Sequence, residues 1–214
     1  MSQKGYVSFQ SGQSRAPCTF LYPFGWDVRE TVEDGYVEIF ILGPISRAGT
    51  YSTSLSVGVT RTGGHTPLEA ANALVSKYCV AFKAQEWGPF FATVAGRPAV
   101  EVEIAYSMLL PLNSLDAKQT PIRERRIFFE EDDQLYELDY AAPEEDYETW
   151  LGAFRALVES FAFSGKPVSR VSYRPVATVA PQYVGEDAME YKVGKEEDGG
   201  RARDVESEHP PGCS

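Results

Sequence analysis

Carboxylates hold the chemistry that residue spacing suggests in this chain. Glu101 and Glu103 stand two apart in an alternating apolar run, so a strand would put both on one face, as an acid and base pair requires. Arg123 and Arg125 share a face by the same rule. If the two strands pair, the four charges form a cross-strand ladder instead. We take the ladder as the reading, because no nucleophile or metal-ligand set stands near in sequence. A small-molecule hydrolase using Glu101 and Glu103 is the enzymatic alternative. Glu130, Glu131, Asp132 and Asp133 form a second carboxylate constellation. Clustered oxygens suit a hard cation such as calcium. The run lacks the spaced ligands and glycine of a calcium loop, and neighbouring strand residues face opposite ways. A solvated hairpin tip that blunts edge pairing is the expected role, with the four residues kept as metal candidates.

Other candidates are single residues. His65 precedes a helix start and could titrate near neutrality, but His209 sits far off on a polar tail, so an exposed loop histidine is expected. Gly63 and Gly64 lie before the same helix start and could offer amides to an anion. Cys18, Cys79 and Cys213 are odd in number and widely spaced, which predicts two buried thiols and a tail thiol rather than a disulfide or zinc site. Neither the nucleophile elbow, the HExxH helix, the Gly-Lys-Ser/Thr phosphate loop nor the dinucleotide fingerprint occurs. No catalytic or cofactor-binding residue is therefore expected.

The elements that must position these groups read clearly. Of 214 residues, 43% are hydrophobic, and 12 Tyr, 12 Phe and 3 Trp can fill a core without staples. Strands are predicted over residues 18–22, 26–32, 36–42 and 51–61. Thr66, Pro67 and Glu69 then make a capped helix start. Apolar residues at spacings of three and four carry that helix to residue 83, with Cys79 on its core stripe. A turn at 87–89 precedes strands over 90–94, 99–109, 122–131 and 134–141, with a loop over 111–121. Pro143 opens a last helix whose first turn holds Glu144, Glu145 and Asp146.

Tight turns between strands imply antiparallel pairing. The expected fold class is α+β: an antiparallel sheet flanked by helices on both faces, an α/β/α sandwich. Residues 1–16 read as a flexible arm, 17–165 as the domain and 166–184 as an extended segment. Residues 185–214, acidic and poor in apolar side chains, read as a disordered tail.

Four motifs in order resemble PsbP-type domains. They are FLYPFGW (20–26), TPLEAA (66–71), AGRPAVE (95–101), and LY (135–136) followed by a helix reaching Phe163. The resemblance covers about residues 17–164. It implies an antiparallel sheet between helices and no catalysis. Plant and algal members are extrinsic subunits of the oxygen-evolving complex of photosystem II, where they retain calcium and chloride by protein contact. Calcium enters here through that resemblance only.

The formal net charge of −11 disfavours nucleic acid, and Arg123, Arg125 and Arg126 are interleaved with Glu124 rather than gathered in a basic stripe. The chain begins without an apolar leader and holds no run of about 20 apolar residues. A cytoplasmic location is expected, with a thylakoid-associated location and peripheral attachment to a membrane complex as the alternative the resemblance implies. The function expected is a non-enzymatic protein-binding or assembly factor, presenting a sheet edge or the 110–121 loop to a protein partner. A photosystem II subunit is the second expectation.

Overall fold

In the computed structural model, residues 5–164 are described. The segment expected over 166–184, the tail expected over 185–214, His209 and Cys213 lie outside the described residues. In chain order the elements are β1 (Tyr6–Gln10), β2 (Cys18–Pro23), β3 (Asp27–Glu33), β4 (Tyr36–Ile45), β5 (Ser52–Arg61), α1 (Pro67–Phe82), β6 (Gln85–Val94), β7 (Arg97–Leu110), β8 (Lys118–Glu131), β9 (Gln134–Pro143), α2 (Glu144–Ser160) and β10 (Ala162–Phe163).

Local chemistry sets most boundaries. Asp34-Gly35, Ala95-Gly96 and Asp132-Asp133 all hold positive φ, the signature of two-residue hairpin turns whose twist matches that of the strands. Thr66 Oγ1 accepts from the Glu69 amide at 3.2 Å, and Glu69 Oε2 accepts from the Thr66 amide at 2.8 Å, so the capping box is closed. At the other end of α1, Lys83 adopts a left-handed conformation and its amide donates to Cys79 O.

Seven strands form an antiparallel sheet in the order β3-β4-β5-β9-β8-β7-β6. Successive residues of its strands face opposite ways, and each face carries its own helix. Val100, Val102 and Phe128 pack with Ala71, Leu74 and Val75 of α1. Ala99, Ile127, Phe129, Leu138 and Tyr140 face the larger core, with Tyr147, Leu151, Phe154, Leu157 and Val158 of α2. The α+β class and the helix on each face are as the patterning implies. Burial of each such large side chain contributes about 1.5–3 kcal/mol, the dominant favourable term here.

The structure departs from the sequence reading at several places. Residues 6–10 are not a loose arm but strand β1, which pairs with β2 and stacks Phe9 on Phe20 at 5.2 Å. Its Ser and Gln hid a two-residue alternation. β2 does not join the main sheet; β1, β2 and β10 make a separate three-stranded sheet. β6 begins at Gln85 and absorbs Gly88-Pro89 as a register shift between Trp87 and Phe90. Finally, α2 ends at Ser160, because Ala162 and Phe163 leave it to pair with Thr19 and Cys18.

On its own face α1 packs against β6, β7 and β8. On the β3–β5 part of that face, the Tyr36 ring lies directly over Gly58. On the α2 face, a Cβ at Gly43 would come within 2.7 Å of the Trp26 ring, which meets Trp150 of α2 at 5.5 Å. Both glycines are required by close approach.

Candidate functional site

The expected ladder exists, on the α2 face of β7 and β8. Glu103 lies opposite Arg125, Glu101 opposite Ile127 and Ala105 opposite Arg123. Glu103 accepts from Arg123 Nε at 2.6 Å and from Arg125 Nε at 3.1 Å and Nη2 at 2.5 Å. Arg125 Nε also lies 3.3 Å from Glu101 Oε1. The Arg123 guanidinium sits 4.4 Å over the Tyr147 ring, with Glu144 and Glu148 each 3.7 Å away. Glu103 is 2% exposed, and both of its oxygens are occupied by guanidinium donors. A carboxylate so enclosed is closed to a substrate. It fixes the register of β7 on β8 and seats α2 above them.

The carboxylate run splits. Glu131 is buried and paired with Arg97, whose Nη2 donates to its Oε1 at 2.8 Å. Glu130 is exposed on the opposite face, and Asp132 and Asp133 form the β8–β9 turn. Among the described residues, no group of three His, Cys, Asp or Glu side chains is arranged to hold a metal ion. Gly63 and Gly64 join Asp132 and Asp133 around one open cleft of about 520 Å³, where the Thr62 amide donates to Asp133 O at 3.0 Å. Carboxylates beside glycine amides repel an anion, which weakens that candidate. His65 is exposed in the same loop. Cys18 and Cys79 are buried thiols; burial, with Glu30 adding to it, pushes Cys18 up to about 12.

A third constellation was missed in the sequence. On the α1 face, Arg126 meets Glu124 and Glu137 in short ion pairs, with Asp139 Oδ1 at 3.5 Å. Its Nη2 donates to Tyr78 Oη at 3.1 Å, and Tyr106 Oη donates to Glu124 at 3.0 Å. Three carboxylates thus share one guanidinium. Burial holds Asp139 well above the ordinary carboxylate range; Arg126 opposes that shift, and Glu124 and Glu137 reinforce it. Burial and Glu124 push Tyr78 up to about 12. The two-residue spacings of Glu124 with Arg126 and of Glu137 with Asp139 were the available signal. Only the register of β8 on β9, Arg126 opposite Asp139, unites them.

The fourth feature is topological. β7 and β8 remain paired out to Leu110 opposite Lys118. β6 reaches no farther than Ala105, and β9 no farther than Ile122. Residues 106–110 and 118–121 therefore form a two-stranded arm that outruns its neighbours on both sides. Its outer part carries Leu109, 57% exposed, Leu112, 66% exposed, and the fully exposed Leu115. Residues 105–115 include no Asp, Glu, Lys, Arg or His. The loop expected over 111–121 is shorter than read, because β8 already begins at Lys118.

No family model matches the chain, and no curated protein does. Solved structures do. The crystal structure of LpqN, involved in cell envelope biogenesis of Mycobacterium tuberculosis, is similar with a TM-score of 0.51 at 14% identity, over 76% of this chain and 92% of that one. The solution structure of cyanobacterial PsbP (CyanoP) from Synechocystis sp. PCC 6803 gives a TM-score of 0.48 at 15% identity, over 76% and 94%. PA94, a protein of unknown function from Pseudomonas aeruginosa, gives 0.46 at 9%, over 70% and 91%. At these identities the likeness is one of fold.

Proposed function

We propose that this chain is a non-enzymatic protein-binding module and that the β7–β8 arm is its docking element. One observation carries the reading: a hairpin extends past the strands beside it and ends in exposed leucines without a charge among them. Exposed apolar clusters mark interaction sites. The enzymatic alternative loses its acid and base, because Glu103 is enclosed by Arg123 and Arg125 and Glu101 lies beside Arg125. Asp132 and Asp133 are read as a hairpin tip and Glu131 as the partner of Arg97, not as a calcium site.

The test is affinity capture from the source organism with the wild-type chain and a Leu112→Asp/Leu115→Asp variant, scored by quantitative mass spectrometry. A discrete protein retained by the wild type and lost by the variant supports the reading. Retention of the same proteins by both chains removes the arm from the account.

A further inference from the structure

We propose that the unpaired margin of β7 over residues 106–110 pairs antiparallel with the same margin of a second copy of this chain. The inference rests on reading the arm as a docking element, and it names one occupant for it.

Among the margins that the main sheet leaves unpaired in the described residues are the outer sides of β3 and β6 and both sides of the arm, and three of these are guarded. The outer side of β3 carries Asp27, Arg29, Glu30 and Glu33. The outer side of β6 is broken by the register shift between Trp87 and Phe90. The β8 side of the arm holds Lys118 and Pro121, and proline brings no amide donor. Charge, irregularity and proline are the devices that keep strand edges from pairing. On the β7 side, Tyr106, Ser107, Met108, Leu109 and Leu110 show none of them.

Charge favours a copy meeting here rather than elsewhere. Each chain has a formal charge of −11, so two copies repel across most of their surfaces. Along this margin no carboxylate would face another. Geometry permits it as well. Opposite residues of an antiparallel pair lie on one face, so a two-fold axis normal to the sheet must pass through a residue position. Centred on Met108, it sets Tyr106 opposite Leu110 and Leu109 opposite Ser107 of the other copy. In that register the tip of each arm, with Leu112 and Leu115, runs toward the start of β6 and the end of α1 in the other. There Phe82 is 40% exposed, with its ring centroid 5.1 Å from that of Tyr106. One contact covers the exposed leucines and Phe82 together.

The paired arms alone offer less than the roughly 1,200–2,000 Å² of a standard stable interface, so the dimer is concentration-dependent. Sedimentation velocity across the micromolar range tests it with the wild type, Met108→Lys, and Val7→Lys, which alters the uncharged outer strand of the small sheet. The expected result is a two-chain species for the wild type and Val7→Lys. Met108→Lys sets two like charges at the axis and weakens the dimer by roughly tenfold or more. As a second measurement, Met108→Cys forms an intermolecular disulfide on oxidation, whereas Val80→Cys, at an exposed helix position, does not. A one-chain mass for the wild type throughout, a dimer that persists in Met108→Lys, or one abolished by Val7→Lys overturns the inference. A monomer whose arm still captures another protein leaves the docking reading intact, which separates the two failures.

Discussion

Glu103→Gln probes the ladder most sharply. The wild-type carboxylate accepts from Arg123 Nε at 2.6 Å and from Arg125 at 3.1 and 2.5 Å while 2% exposed. The amide keeps the shape but removes the charge and turns one acceptor into a donor aimed at guanidinium donors. Arg125, itself 6% exposed, then keeps Glu101 at 3.3 Å as an ion-pair partner. Breaking a buried pair by removing one partner costs about 3–5 kcal/mol. For a domain of this size each kcal/mol moves Tm by about 2–4 °C, so the midpoint should fall by roughly 6–20 °C. The assay is thermal unfolding followed by tryptophan fluorescence, with urea unfolding and an unchanged m value as the check that the shift reports stability. A Glu101→Met/Glu103→Met/Arg125→Met triple variant should recover most of the loss, since replacing a whole buried ionic unit with apolar residues of similar volume is often neutral. A single-variant loss below about 1 kcal/mol, the range of an exposed pair, would refute the claim that this ladder is a buried structural unit.

Further expectations follow from the same geometry. Asp139 has a raised pKa in the folded state, so the native chain holds a proton there that the unfolded chain has released. The stability linked to that proton is fully present below the ordinary carboxylate pKa and is lost as pH rises through the raised value. Asp139→Asn should flatten this part of the stability–pH curve, measured by urea midpoints from the ordinary carboxylate range upward; an unchanged slope would contradict the assignment. Thr66→Ala should cost about 0.5–2 kcal/mol by opening the capping box, read by urea unfolding, with no effect on the ladder. Gly43→Ala drives a methyl into Trp26 and should cost about 1–3 kcal/mol, accompanied by a shift in tryptophan emission.

Local signals carried much of the fold. The Asp34-Gly35, Ala95-Gly96 and Asp132-Asp133 turns and the Thr66–Glu69 cap need only a few adjacent residues, and each sits where its chemistry demands. Glu101, Glu103, Arg123 and Arg125 were legible as a ladder because a single pairing, β7 on β8, brings them together. The Arg126 cluster needed more: the register of β8 on β9 and the placement of Tyr78 from a distant helix. Long-range pairing likewise decided that β2 leaves the main sheet, since nothing in residues 18–23 marks which strands they will join. The arm was hidden by Lys118, Gln119, Thr120 and Pro121. Their polarity reads as loop, and they are strand only because β7 supplies the partner.

Docking through the arm is the central claim, and site-specific photo-crosslinking tests it most directly. A photoreactive phenylalanine at Leu115 and, as control, in place of Phe24, both exposed, would be irradiated in the source organism. The account predicts one dominant protein adduct from position 115, either a second copy or a distinct partner, and none from position 24. Equal labelling from both positions, or adducts from position 24 alone, would contradict it.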